Sequence, residues 1–193
     1  MRHRYMGIMV GIGTVLADDP MLNVRVEGLK SPVRIICDSK LRIPPDSQIV
    51  KSAREYRTIV AYADPENVEK KKEILQTMGV ETVFCPDMKK HVNLKHLMEH
   101  LGKENIDSIL LEGGGTLNDS ALRAGVVQEV QAFIAPKIFG GTGSRTPVDG
   151  IGIELTVSGS GTKFKDICQI GEDLKITCQV LRKEQEESCL QEL

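Results

Sequence analysis

Five short apolar, β-branched runs recur between helical stretches, and this alternation constrains the fold more than any other feature. They are Met6 to Val10, Val33 to Cys37, Thr58 to Ala63, Glu81 to Cys85 and Ser108 to Leu111. Continuous apolar runs of this kind are strands buried on both faces, which implies a largely parallel sheet joined by helices. Asp64, Pro65 and Glu66 predict a helix start, with Gly79 as its stop. Asn93 predicts a second start, with Leu94, Leu97, Met98 and Leu101 on one apolar stripe and Gly102 at the end. A third helix is expected from about Thr116 to Ala124, stopped by Gly125. Beyond it, Glu129 to Ile138, Lys163 to Ile170 and Leu174 to Leu181 read as strands with no helix between them. The sheet is therefore expected to finish antiparallel, with Gly171, Glu172 and Asp173 turning the last hairpin. The expected class is α/β, a mixed, mostly parallel sheet flanked by helices with an antiparallel hairpin at its end.

At 193 residues and 40% hydrophobic content the chain can bury one sizeable core, and no repeat or linker divides it. One domain is expected over residues 1–182, followed by a charged, Gln-rich tail over 183–193. The 25 Lys and Arg balance 27 Asp and Glu, so no overall field draws the protein to nucleic acid or to an anionic membrane. No apolar run is long enough to span a bilayer and no signal-type segment opens the chain, so a cytoplasmic location is expected. The five cysteines never form a C-x-x-C pair; Cys37 and Cys85 lie in apolar runs and read as buried, reduced thiols.

In open α/β sheets, ligands bind beyond the carboxyl ends of the strands. Three such junctions are unusual. Leu111-Glu112-Gly113-Gly114-Gly115-Thr116-Leu117 takes a strand through three glycines into a helix, which suits a phosphate or diphosphate held by exposed amides, or is simply a flexible turn. Cys37-Asp38-Ser39-Lys40-Leu41-Arg42 places a hydroxyl and two cations after a strand; they suit the 2′-phosphate of NADP, or are solvated loop charges. Val10-Gly11-Ile12-Gly13-Thr14-Val15-Leu16-Ala17-Asp18-Asp19-Pro20 begins like a dinucleotide fingerprint, but Leu16 stands where the third glycine belongs. Asp18 and Asp19 are an acid and base pair, magnesium ligands or a turn, and Arg25 is a phosphate fork or a surface ion pair. Phe139 to Arg145 is a fourth glycine-rich stretch that either closes over a cofactor or holds no ligand. His96 and His100 are spaced as metal ligands but lack a third partner, and His3 and His91 carry no pattern.

Taken in order, Met9 to Pro20 with Leu22 and Arg25, then Asp38-Ser39, Leu111 to Leu117 and Ala135-Pro136-Lys137 resemble the reductase half of the bacterial riboflavin deaminase-reductase, whose fold is similar to dihydrofolate reductase. The resemblance extends to about Arg182. It implies reduction of 5-amino-6-(5-phosphoribosylamino)uracil to its ribitylamino product with hydride from NADPH. Thr14, Asp18, Ser39 and Gly114, Gly115, Thr116, Leu117 and Asn118 then correspond to cofactor contacts. Leu22, Arg25 and Glu112 correspond to substrate contacts, and Asp18 and Glu112 are the carboxylates that order hydroxyls and move protons. A homodimer is implied as well. The family's domain begins with a strand, a lysine-bearing loop and a helix that are expected to be missing here, and the deaminase's zinc signature is absent from these residues. Two other readings stand beside the enzyme: a catalytically incomplete NADPH-binding fragment, and a noncatalytic module that assembles through an exposed sheet.

Overall fold

The structure, a computed structural model, describes residues 1–138, 146–150 and 161–181. After one 3₁₀ turn at Arg2–Arg4 come β1 (Gly7–Gly11), α1 (Ile12–Asp18), β2 (Val33–Cys37), α2 (Gln48–Lys51), β3 (Thr58–Tyr62), α3 (Glu69–Thr77), β4 (Glu81–Phe84), α4 (Leu94–Lys103), β5 (Ile109–Gly113) and α5 (Gly115–Arg123). The strands of this half form one sheet in the order β4-β3-β2-β1-β5, every pair parallel. Alternate residues of each strand feed two cores. Ile8, Val10, Ile36 and Val60 pack with residues of α1, α2 and α3 on one face. Met9, Ile35, Ile59 and Ala61 pack with Leu94, Leu97 and Leu101 of α4 and Ala121 of α5 on the other. The expected strands thus lie where the apolar runs placed them, because a strand covered on both faces is apolar at nearly every position, with Arg34 and Thr58 as the buried polar exceptions.

The remaining strands, β6 (Glu129–Ile134), β7 (Thr162–Ile170) and β8 (Asp173–Val180), make a separate antiparallel sheet in the order β6-β8-β7. The antiparallel part is therefore a sheet of its own and not the end of the first. Strand β6 stops at Ile134, short of the expected Ile138, since Pro136 has no N–H for a ladder. The last hairpin turns on Gly171 and Glu172, with Gly171 at φ 62 in the first loop position, where glycine is favoured.

Helix boundaries differ from expectation in two places. Asp64 caps only a turn, its Oδ1 accepting from the Glu66 amide, and α3 begins five residues later at Glu69. Asn67 at φ 58 breaks the run between them. Helix α4 passes through Gly102 and ends at Lys103, with Asn105 at φ 59 as the left-handed residue; the Ile106 amide reaches back to the Leu101 carbonyl. Gly79 and Gly125 close α3 and α5 in the same way, as expected. The segment after β1 also forms a helix, α1, which the sequence reading left as a junction.

Arg34, on β2, is completely buried and has no carboxylate partner among the described residues. Its guanidinium instead donates to the carbonyls of Met21, Ile49 and Tyr56 and to the hydroxyls of Ser52 and Thr58 at 2.6–3.2 Å, and lies over the Tyr56 ring. Burial lowers its pKa to about 10, which leaves it charged at neutral pH. This one side chain ties β2, α2, β3 and the Met21 segment together. Replacing it leaves several buried acceptors without donors, each costing about 1–3 kcal/mol. Arg34→Met is expected to lower unfolding free energy in urea by about 3–5 kcal/mol, and Arg34→Lys, with fewer donors in the wrong geometry, by about 2 kcal/mol.

Candidate functional site

Parallel strands share one carboxyl end, and that rim of the sheet holds a cleft of about 1110 Å³. It is bounded by the junctions after β1, β2 and β5, by the loop that follows β4, and by residues 146–149. Of the residues named from sequence, Thr14, Asp18, Ser39, Glu112, Gly114, Gly115, Thr116, Leu117 and Asn118 all line it.

The β5 junction is built by two local departures from regularity. Between Met9–Leu111 and Val10–Gly113 the β1–β5 register skips Glu112, so Glu112 is a bulge residue without a partner in β1. A bulge re-aims the side chain it carries, here onto the cleft. Gly113 and Gly114 then take φ of 121° and 85°, a conformation that disfavours any other residue, and α5 starts at Gly115 with no side chain capping its amides. The unpaired amides and the positive helix end make an anion cradle. Thr14 faces it from α1: a Cβ at Gly114 would lie 3.5 Å from the Thr14 hydroxyl oxygen.

At the β2 junction Ser39 is fixed from both sides. Its hydroxyl accepts from the Val92 amide at 3.3 Å and its carbonyl accepts from Ala63 and Asp64 at 3.1 and 2.8 Å. Asp38 is fully buried; its Oδ2 accepts from the Ile43 amide at 2.8 Å and Arg42 approaches its Oδ1 at 3.7 Å. Burial pushes the Asp38 carboxyl above the usual range, against the pull of those partners. Asp38 thus shapes the loop, Arg42 lines the cleft, and Lys40 lies outside it. Burial also pushes the Cys37 thiol up to about 12 and raises that of Cys85, which disfavours both thiolates; Cys85 is buried as expected, while Cys37 is only partly covered and lines the cleft.

Sequence reading missed three contributors. Arg2, 110 positions from Glu112, grips both its oxygens at 2.9 and 2.7 Å and donates to the Asn23 carbonyl at 3.0 Å. The loop after β4, pinned by a Pro86–Val92 bridge and by the Asp87 amide to the His91 carbonyl at 2.8 Å, brings His91, Asn93 and Lys95 to the cleft. Desolvation opposes it, but the His91 and Lys89 amides hold the Asp87 carboxyl below the usual range. Asp149 is the third. No local pattern marks any of them, since each arrives from a distant part of the chain.

Leu22 and Arg25 lie elsewhere than expected, and Asp19 takes the turn among its readings. The Leu22 side chain is buried in the core at φ 53, leaving only its main chain for a ligand. Arg25 is exposed and lines no part of the cleft. Asp19 turns away to accept from the Gln48 amide at 2.9 Å at the start of α2, a structural role. Phe139 to Arg145 and the tail from Lys183 lie outside the described residues. Among the described residues no helix is long and apolar enough to cross a membrane.

The comparisons with known proteins agree with this arrangement. The family model described as RibD C-terminal domain matches residues 1–176. The riboflavin biosynthesis protein RibD of Actinobacillus pleuropneumoniae is 46% identical over 180 residues, which are 93% of this chain and 47% of that protein. A 2,5-diamino-6-ribosylamino-4(3H)-pyrimidinone 5′-phosphate reductase of Methanothermobacter thermautotrophicus is 38% identical over 177 residues, 90% of this chain and 79% of that one. Among solved structures, Acinetobacter baumannii RibD superposes with a TM-score of 0.77 at 24% identity, covering 93% of this chain and 48% of the other, a likeness of fold. The chain spans about half the length of the RibD proteins it matches. With its parallel sheet, its glycine bend and its rim of carboxylates in place, the chain belongs to the RibD C-terminal domain family.

Proposed function

We propose that the cleft carries out NADPH-dependent reduction of the ribosyl group of 5-amino-6-(5-phosphoribosylamino)uracil to a ribityl group. The observation that carries this reading is the meeting, in one cleft, of an uncapped glycine-laced helix start with the carboxylates of Asp18 and Glu112. A dinucleotide fits the donors present: Gly114, Gly115 and Thr116 offer amides to a diphosphate, while Ser39 offers a hydroxyl, Arg42 a guanidinium and His91 a ring nitrogen to a 2′-phosphate. Strands lie about 4.8 Å apart, so the ends of β2 and β5, with β1 between them, are separated by about 10 Å, a span within one dinucleotide.

Held by the Gly114–Thr116 amides and by Ser39, a nicotinamide cofactor would supply hydride for the sugar carbon of the ring-opened imine, whose nitrogen would take one proton from the protein side. The residues divide the remaining work. Both Glu112 oxygens are occupied by Arg2, so Glu112 holds and orients sugar hydroxyls. Asp18 has no hydrogen-bond partner among the described residues and moves the proton. The Leu22 main chain adds a contact to the substrate. Arg25, exposed beside this region, meets the substrate phosphate once the substrate is bound.

A second reading, cofactor binding without turnover, draws on the sheets: among the described residues β5 pairs with β1 alone and β6 with β8 alone, so each sheet has an edge with no described partner. The exposed apolar residues Phe133, Phe164, Ile167 and Ile170 of the second sheet support assembly into a homodimer.

With NADPH and authentic substrate, loss of the reduced nicotinamide absorbance is expected; binding of NADPH without it favours the second reading. Asp18→Asn is expected to lower kcat by about 10²–10⁴-fold. Glu112→Gln is expected to raise the substrate KM, with the NADPH KM little changed. Arg42→Ala with Ser39→Ala is expected to erase the preference for NADPH over NADH in side-by-side kinetics. Light scattering is expected to give twice the mass of one chain, and a monomer counts against the dimer.

A further inference from the structure

Residues 146–150 lie across the start of α5, and they bring a carboxylate to it. The Asn118 amide donates to the Pro147 carbonyl at 2.7 Å. Gly150 sits so close to Asp119 that a Cβ there would lie 2.6 Å from its Oδ2. Asp149 is pressed onto Gly115 itself, where a Cβ would come within 2.7 Å of the Asp149 amide nitrogen and closer still to its carboxylate. The Asp149 carboxylate accepts from the Thr146 hydroxyl and has no cationic partner among the described residues. What faces it is the positive end of a nine-residue helix with uncapped amides.

We infer that Asp149, pressed onto Gly115 at the mouth of the α5 cradle without accepting from its amides, is a displaceable block to the cofactor's diphosphate, in place when no dinucleotide is present and yielding when one binds. This rests on the cofactor reading above and adds a control on it. Two anions do not share one helix start, so dinucleotide must displace the Asp149 carboxylate. The apparent dissociation constant then rises by the fraction of molecules in which the cradle is filled from within. The strap is attached by a short hydroxyl contact, one side-chain amide bond and close packing on two glycines, a hold weak enough to give way.

The test compares the purified chain with Asp149→Asn, using NADPH and adenosine 2′-monophosphate, which has the adenosine and 2′-phosphate but no diphosphate. Asp149→Asn is expected to bind NADPH about two- to fivefold more tightly, the effect of one carboxylate at a helix end, and adenosine 2′-monophosphate unchanged. In the unaltered chain, hydrogen exchange of the amides at 148–150 is expected to rise when NADPH is added, a readout that does not depend on the variant's folding. Unchanged or weaker NADPH binding by a folded variant, or exchange at 148–150 that stays the same or falls, overturns the inference alone. Failure of the unaltered chain to bind NADPH overturns it together with the cofactor reading.

Discussion

The pairing of β1 between β2 and β5 is the constraint on which the rest of this molecule depends. Because both pairings are parallel, the carboxyl ends of the three strands emerge side by side, and everything chemical in the cleft hangs from those ends. Thr14 and Asp18 follow β1 on α1, Ser39 follows β2, and Glu112 with the glycine bend closes β5. The one irregularity in this pairing is the bulge that leaves Glu112 without a partner, and it sits at the point where a carboxylate enters the cleft. A regular ladder would have kept strict alternation along β5 and placed that side chain otherwise.

Charge in the cleft is organised by main chain as much as by side chains. Two helices, α1 and α5, begin at the rim and direct their amide ends there, while Asp18, Asp87, Glu112 and Asp149 supply carboxylates, Arg42 and Lys95 supply cationic groups and His91 an imidazole. Each fixed carboxylate has a distinct means of restraint: Arg2 for Glu112, two backbone amides for Asp87, and Thr146 with the helix end for Asp149. Among the described residues the Asp18 carboxylate has no such restraint. Deeper in the protein Arg34 shows the reverse arrangement, a charge held by carbonyl dipoles with no ion pair among the described residues, and it joins elements below the site.

The two sheets divide the labour. The parallel sheet is covered by helices on both faces and carries the cleft. The antiparallel sheet is open, with aromatic and aliphatic side chains in solvent along β6 and β7, and it carries no part of the cleft.

What the sequence by itself determined is the parallel layer and the parts of the site that sit on local turns. Apolar runs are visible because each strand is buried on both faces, and Thr14, Asp18, Ser39, Glu112 and the Gly114 to Asn118 bend are visible because strand-to-helix junctions have a local signature in glycine, hydroxyl and acidic residues. The start of α3 was misplaced since Asp64 has the same chemistry in a turn as in a helix cap. Only the tertiary structure decided that Leu22 points into the core, that Arg25 stands outside the cleft, that the last three strands form their own sheet, and that Arg2, His91 and Asp149 reach the rim. The reason is that a residue's local pattern reports the conformation of its own few neighbours, whereas the Arg2–Glu112 grip, the bridge from Val92 to Ser39 and the seat of Asp149 on Gly115 join segments far apart along the chain, and only packing of the whole brings them together.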